Sequence, residues 1–127
     1  MKYLKRFNES VLEDYYHLIR QILTDLICDK IIVNITYNKN FYELTVFIGG
    51  EFKETVMDLS PYYKDIYQMI NYLKDDGFDN LEVSGYYIEK PIDKTDSSNN
   101  FDYNIVLQNC NNRATCYLFT FTKENLN

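Results

Sequence analysis

Apolar residues recur every three or four positions between residues 10 and 28. Val11, Leu12, Tyr15, Leu18, Ile19, Ile22, Leu23 and Leu26 fall on one stripe, which predicts an amphipathic helix. Ser10 followed by Glu13 has the form of a capping box at its start. A start at Asn8, with Phe7 stapled onto Leu12, is the alternative. From Lys30 the period drops to two. Ile31, Val33, Ile35 and Tyr37 alternate with Ile32, Asn34 and Thr36 as in a half-buried strand. Asn38-Lys39-Asn40 reads as a turn, and Tyr42, Leu44, Val46 and Ile48 carry a second strand. Gly49-Gly50 suits a tight hairpin turn into a third strand over 51–59.

The helical period returns after Ser60-Pro61, a capping hydroxyl followed by proline at the first helical position. Tyr63, Ile66, Tyr67, Met69, Ile70 and Leu73 form its apolar stripe. Gly77 is placed to end this helix in a left-handed turn, with Phe78 folding back on the last turn. A fourth strand follows over 81–88. Residues 90–100, KPIDKTDSSNN, have loop chemistry throughout and are expected to be mobile and exposed. Residues 101–109 alternate as a fifth strand, and Asn111-Asn112 turns into a sixth over 115–122. That last strand is apolar on both sides, as a central strand is. Residues 123–127 read as a tail.

The order helix–three strands–helix–three strands predicts an α+β fold in one domain over 1–127. The expected architecture is a mainly antiparallel sheet with two helices packed on one face. A chain of 127 residues can bury a real core, and 46% hydrophobic with 25% charged residues is ordinary for a globular protein. The 13 Tyr and 8 Phe are not ordinary. Tyrosine packs its ring at the edge of a core while its hydroxyl stays wet, so some of these rings are core padding and others are free for binding.

A net charge of −6 argues against a nucleic-acid backbone as partner, because phosphate binding needs a basic stripe and none follows residues 2–6. No apolar stretch predicts a membrane span, and residues 1–10 do not read as a secretory signal. Cys28, Cys110 and Cys116 form no disulfide framework, which fits reduced thiols in a cytoplasm. CNNRATC lacks the second Cys/His pair that zinc needs, so its cysteines are expected to face each other across a hairpin.

Catalytic signatures are not evident. His17 lies beside the apolar stripe of the first helix and is expected to face solvent. Four glycines cannot assemble a phosphate loop. DDGFDNLE, residues 75–82, does not place oxygen ligands in the register of a calcium loop. No metal or cofactor is expected. Asp75 and Asp76 sit at a helix C-terminus, where the dipole disfavours anions, so they either face solvent or serve a partner. For binding, the tyrosines are the better lead. Tyr62-Tyr63 and Tyr86-Tyr87 are adjacent pairs that cannot all point inward, leaving rings to form a patch with Phe41 or Tyr42. The candidate protein-binding surface is Tyr42, Tyr62, Tyr63, Tyr86, Tyr87, Asp75, Asp76 and Asp79.

The opening MKYLKRFNES carries a resemblance. Met1-Lys2, the pair Tyr3-Leu4, then Phe7 and Glu9 before the small Ser10 resemble the N-terminal capsid-targeting leader of internal head proteins of large tailed bacteriophages. In that family a short leader directs the protein into the prohead. A protease then cuts after a glutamate that follows an apolar residue two positions earlier. The resemblance makes Phe7 the recognition residue, Glu9 the residue before the cut and Ser10 the first mature residue, with 1–9 as the leader. Phe7 stands where Ile or Leu is usual, a departure that bears on cleavage rather than on targeting. The resemblance covers ten residues.

It implies a non-enzymatic phage protein, capsid-associated or ejected into the host cytoplasm, acting as a monomer or homodimer on a host or phage protein such as a defence enzyme. A bacterial accessory protein of the secretion-chaperone or immunity type is one alternative. A small enzyme with a site built from Asp, Glu and Tyr is another.

Overall fold

The pairing register of the strands shows why the hydrophobic alternation is so regular. In this computed structural model the described residues are 14–50, 56–87, 90–91, 96–98 and 114–123. Among them, β1 (Ile32–Asn38), β2 (Glu43–Gly49), β3 (Asn80–Tyr87), β4 (Lys90–Pro91), β5 (Asp96–Ser98) and β6 (Cys116–Thr122) form one antiparallel sheet. Their spatial order is β1-β2-β6-β3-β4, with β5 also on β3. Helix α1 is described over 14–22, α2 is Thr24–Cys28 and α3 is Tyr63–Asp75. The class is α+β.

One face of the sheet is built in rows across its four main strands. Tyr37, Leu44, Phe121 and Leu81 make one row, and Ile35, Val46, Phe119 and Val83 the next. Val33, Ile48, Tyr117 and Gly85 make the third, so the largest ring lies beside the residue with no side chain. Both helical stripes are buried in the same cluster: Tyr15, Ile19, Leu23 and Leu26 from the first two helices, and Ile66, Met69, Ile70 and Leu73 from α3. Each such fully buried aliphatic or aromatic side chain contributes about 1.5–3 kcal/mol. The expected two-layer arrangement therefore holds, as does the central position of β6, which is flanked by β2 and β3.

The helix expected over 10–28 is interrupted at Leu23. Thr24 explains the break, because its hydroxyl donates to the carbonyls of Arg20 (3.2 Å) and Gln21 (2.7 Å) and bends the preceding turn. At the end of α2 the Ile31 N–H reaches the Leu26 carbonyl and the Lys30 N–H that of Ile27. This double closure places Lys30 at φ 66°, where glycine is usual. The same closure ends α3, where Phe78 bonds to Leu73 and Gly77, at φ 106°, to Lys74. Here the expectation for Gly77 and Phe78 is met.

Other expectations are corrected. Gly49 is the last residue of β2, paired to Ile32 and Cys116, and not the corner of a hairpin. Residues 56–59 are not a strand, and the open edge of β2 is taken by β6. Periodicity shows that a segment is extended, but not which segment pairs with it. Ser60 does not cap α3. A single 3-10 turn (Ser60–Tyr62) comes first, and the Ser60 N–H and hydroxyl both donate to Asp58 Oδ1, at 2.9 and 2.5 Å. These bonds hold the Asp58 carboxyl below the usual aspartate range.

Within 90–100, Lys90–Pro91 and Asp96–Ser98 are strands on the outer edge of β3 instead of loop. Main-chain bonds to an open edge ask little of side-chain propensity, and a short edge strand accommodates proline, aspartate and serine. The Ser10 start, the Asn8 alternative, residues 51–55, the fifth strand, the Asn111-Asn112 turn and residues 124–127 lie outside the described residues.

Candidate functional site

Three chain segments meet at the end of the sheet where β1 turns into β2. The Asn38 carbonyl accepts the Phe41 N–H at 3.2 Å, and its side-chain Oδ1 accepts the Asn40 N–H at 3.1 Å, closing the turn that the asparagines predict. Tyr42 follows at φ 48°. The sequence alternation assigns Tyr42 to β2, which in the structure begins at Glu43. The left-handed backbone takes it out of the strand, and it is 40% exposed beside Phe41 at 71%. A single non-glycine residue in that region costs about 1 kcal/mol. The Lys123 N–H, just beyond β6, donates to the Tyr42 carbonyl at 3.2 Å and ties this turn to the end of the sheet.

Behind the turn lies a base of aromatic rings. The Tyr15 ring meets Tyr37 edge-on at 5.5 Å and Phe78 at 5.8 Å, and Phe78 meets Phe121 at 6.3 Å. Tyr15 donates its hydroxyl to Asp76 Oδ2 at 2.5 Å. Lys123 Nζ lies 3.7 Å from the same oxygen and 4.7 Å from the centre of the Phe78 ring. Burial, and then the Asp76 carboxylate, push the Tyr15 hydroxyl far above the usual tyrosine range. Tyr37 is raised by burial and by Tyr42, and Tyr72 by burial and by Asp76. These tyrosines stay protonated; Tyr15 donates to Asp76, and Tyr37 and Tyr72 pack against the core. Asp76, at the C-cap of α3, is held by Lys123 and Tyr15, which offsets its unfavourable place at a helix end.

The structure divides the residues expected to share one surface. Tyr42, Asp75, Asp76 and Asp79 gather at this end, where the Asp79 N–H donates to the Thr122 carbonyl at 3.0 Å. Tyr62 ends the 3-10 turn and Tyr63 starts α3, whose 13 residues separate them from Asp75 by about 20 Å. The Tyr62 hydroxyl donates to Asp29 Oδ2 at 2.6 Å, and that bond with partial burial pushes it up to about 12. Tyr63 stacks on Tyr67 at 6.2 Å, and both pack against the core. Tyr86 lies on the opposite face of the sheet from the helices, beside Cys116. Nothing is described of the Tyr87 side chain, and Phe7, Glu9 and Ser10 lie outside the described residues.

His17 is exposed, as expected, with its ring 5.6 Å from Tyr16. Cys28 is exposed and Cys116 half-buried, and burial pushes the Cys116 thiol up, away from the reactive thiolate. Cys110 lies outside the described residues. Among the described residues no three His, Cys, Asp or Glu side chains converge as metal ligands, and no helix is long and apolar enough to cross a membrane.

Sequence reasoning gave Tyr42 and Asp76 but did not connect them with Tyr15, Tyr37 and Lys123. One signal was legible. A turn at 38–40 puts the next residues, Phe41 and Tyr42, at its tip. Fold and site together define an α+β domain with a one-sided helical layer and an aromatic turn on a tyrosine-rich base. Compared with known proteins, the chain matches no family model, no curated protein and no solved structure.

Proposed function

We propose that this is a non-enzymatic binding protein of a tailed bacteriophage, capsid-associated or ejected, that engages a host or phage protein through the Phe41–Tyr42 turn. The observation that carries the binding part is the placement of that turn. An exposed phenylalanine and tyrosine stand on a backbone held out of the strand by a left-handed residue, over a base locked by Tyr15, Asp76 and Lys123. Aromatic side chains on a rigid support lose little entropy on binding and dominate interface energies. Strained backbone at an exposed aromatic is a common mark of a functional position. The phage assignment rests on the resemblance of residues 1–10, with Phe7, Glu9 and Ser10 as the processing site.

Two measurements test the two parts. Mass spectrometry of the protein from purified virions is expected to give a chain beginning at Ser10; an intact Met1 there removes the processing claim. Affinity capture from infected-cell lysate is expected to retain a partner that Phe41→Ser and Tyr42→Ser each lose, with unfolding midpoints close to wild type. A partner held equally by both variants places binding elsewhere on the molecule.

A further inference from the structure

The two edges of the sheet are treated differently. Beyond β3 the edge is made of the short strands β4 and β5, with a proline, a lysine and an aspartate. Positions three apart on β3, Val83 and Tyr86, face positions five apart on the returning chain, Asp96 and Pro91, which breaks the ladder. That edge is blunted as natural sheets blunt an edge. Among the described residues the β1 edge has none of these devices. It runs seven residues, Ile32–Asn38, in unbroken register with β2, and its sequence IVNITYN has neither charge nor proline.

The groups on that edge can be identified. Arg20 Nη1 donates to the Val33 carbonyl at 3.3 Å from the helical layer. A carbonyl turned toward β2 would be engaged in the ladder, so that of Val33 faces the open side. Main-chain groups alternate along an antiparallel strand, so Ile35 and Tyr37 present their N–H and C=O to the same side. Two of the exposed large apolar residues border this edge. Ile32 (41% exposed) begins β1, and Tyr16 (39%) carries the Arg20 guanidinium 5.3 Å from its ring centre.

We infer that β1 pairs with β1 of a second copy, joining two sheets across a two-fold axis at Ile35. The edge is self-complementary in this register. Ile35 faces Ile35 of the second copy, and Val33 faces Tyr37, so all the outward N–H and C=O groups of these three residues are matched. On the face away from the helices Asn34 meets Thr36. No charge lies within Ile32–Asn38 itself; at each end of the pairing Lys30 of one copy comes beside Lys39 of the other, both solvent-exposed, where salt screens the repulsion. The Val33 carbonyl exchanges the long Arg20 bond for the Tyr37 N–H of the second copy. This pairing does not depend on the role of the Phe41–Tyr42 turn.

Sedimentation equilibrium of the full chain tests it. Wild type is expected to approach twice the 15.2 kDa chain mass as concentration rises. The double variant Asn34→Lys/Thr36→Lys opposes like charges across the axis and is expected to be monomeric, as is Asn34→Glu/Thr36→Glu. An equimolar mixture of the two is expected to restore the dimer. If either variant fails to fold, amide exchange on wild type decides: Ile35 and Tyr37 N–H protection rises with concentration if β1 pairs, and does not if it does not. A wild type that stays monomeric, a dimer that survives both variants, or a dimer broken by Phe41→Ser overturns the inference.

Discussion

The Tyr15 hydroxyl donates to Asp76 Oδ2 at 2.5 Å across 61 residues of sequence, pinning the first helix to the C-terminus of α3. Tyr15→Phe keeps the ring contacts with Tyr37 and Phe78 and removes only this bond. Hydrogen bonds to a charged group contribute about 1.5–3 kcal/mol, so the variant is expected to lose about 1.5 kcal/mol in urea unfolding at neutral pH. The Tyr15 hydroxyl is raised in the folded state, so its contribution is complete below the ordinary tyrosine range and fades as pH rises through the folded value. Wild type is therefore expected to lose more stability than Tyr15→Phe on going to strongly alkaline pH. An equal loss in the two proteins contradicts the assignment.

Lys30 and Gly77 occupy equivalent left-handed positions at two helix ends, at φ 66° and φ 106°. Lys30→Gly relieves the side-chain penalty and is expected to stabilise the protein by about 0.5–1 kcal/mol. Gly77→Ala is expected to destabilise it by about 1 kcal/mol or more. A Cβ at Gly77 would meet Lys123 only at ordinary contact distance, 3.7 Å, so the cost is one of backbone conformation. Thermal unfolding of both variants reads the opposite signs directly.

Asp65, in the first turn of α3, is raised above the usual aspartate range by burial and by Asp25, with Lys64 opposing. Between the ordinary aspartate value and the raised one, the folded state binds more protons than the unfolded state. Stability contributed by this group is thus complete below the unfolded value and falls as pH rises through that window. Asp65→Asn is expected to raise the unfolding midpoint at neutral pH and to flatten that part of the stability–pH curve. A midpoint lowered equally at all pH values would assign Asp65 a packing role instead.

Tyr42→Gly separates stability from binding. Glycine removes the left-handed strain and is expected to hold or raise the midpoint by about 0.5 kcal/mol, while removing the ring from the turn. Calorimetric unfolding measures the first effect and partner capture the second. A variant that is less stable but binds normally would show the ring to be part of the fold.

Much of this architecture is local in origin. The stripe from Tyr15 to Leu26, that of α3 from Ile66 to Leu73, the alternation in β1 and β2 and the closure at Gly77-Phe78 each follow from residues within one turn or one strand of each other. The same local chemistry made β6 recognisable as a central strand, because a strand apolar on both sides suits a place between two neighbours, which β2 and β3 provide. It also extended β2 to Tyr42, whose alternation with Leu44 and Val46 is real although its backbone is not extended.

Tertiary structure decided what distance along the chain conceals. That β2 pairs with β6 and not with residues 56–59 depends on competition between edges, which no window of sequence contains. That Asp76 is tied to Tyr15 and Lys123, while Tyr42 stands exposed at the same end of the sheet, depends on three segments meeting there. Periodicity determines which face of an element is buried. Only the packed fold determines which faces, edges and charges meet, and therefore which of 13 tyrosines are core and which are surface.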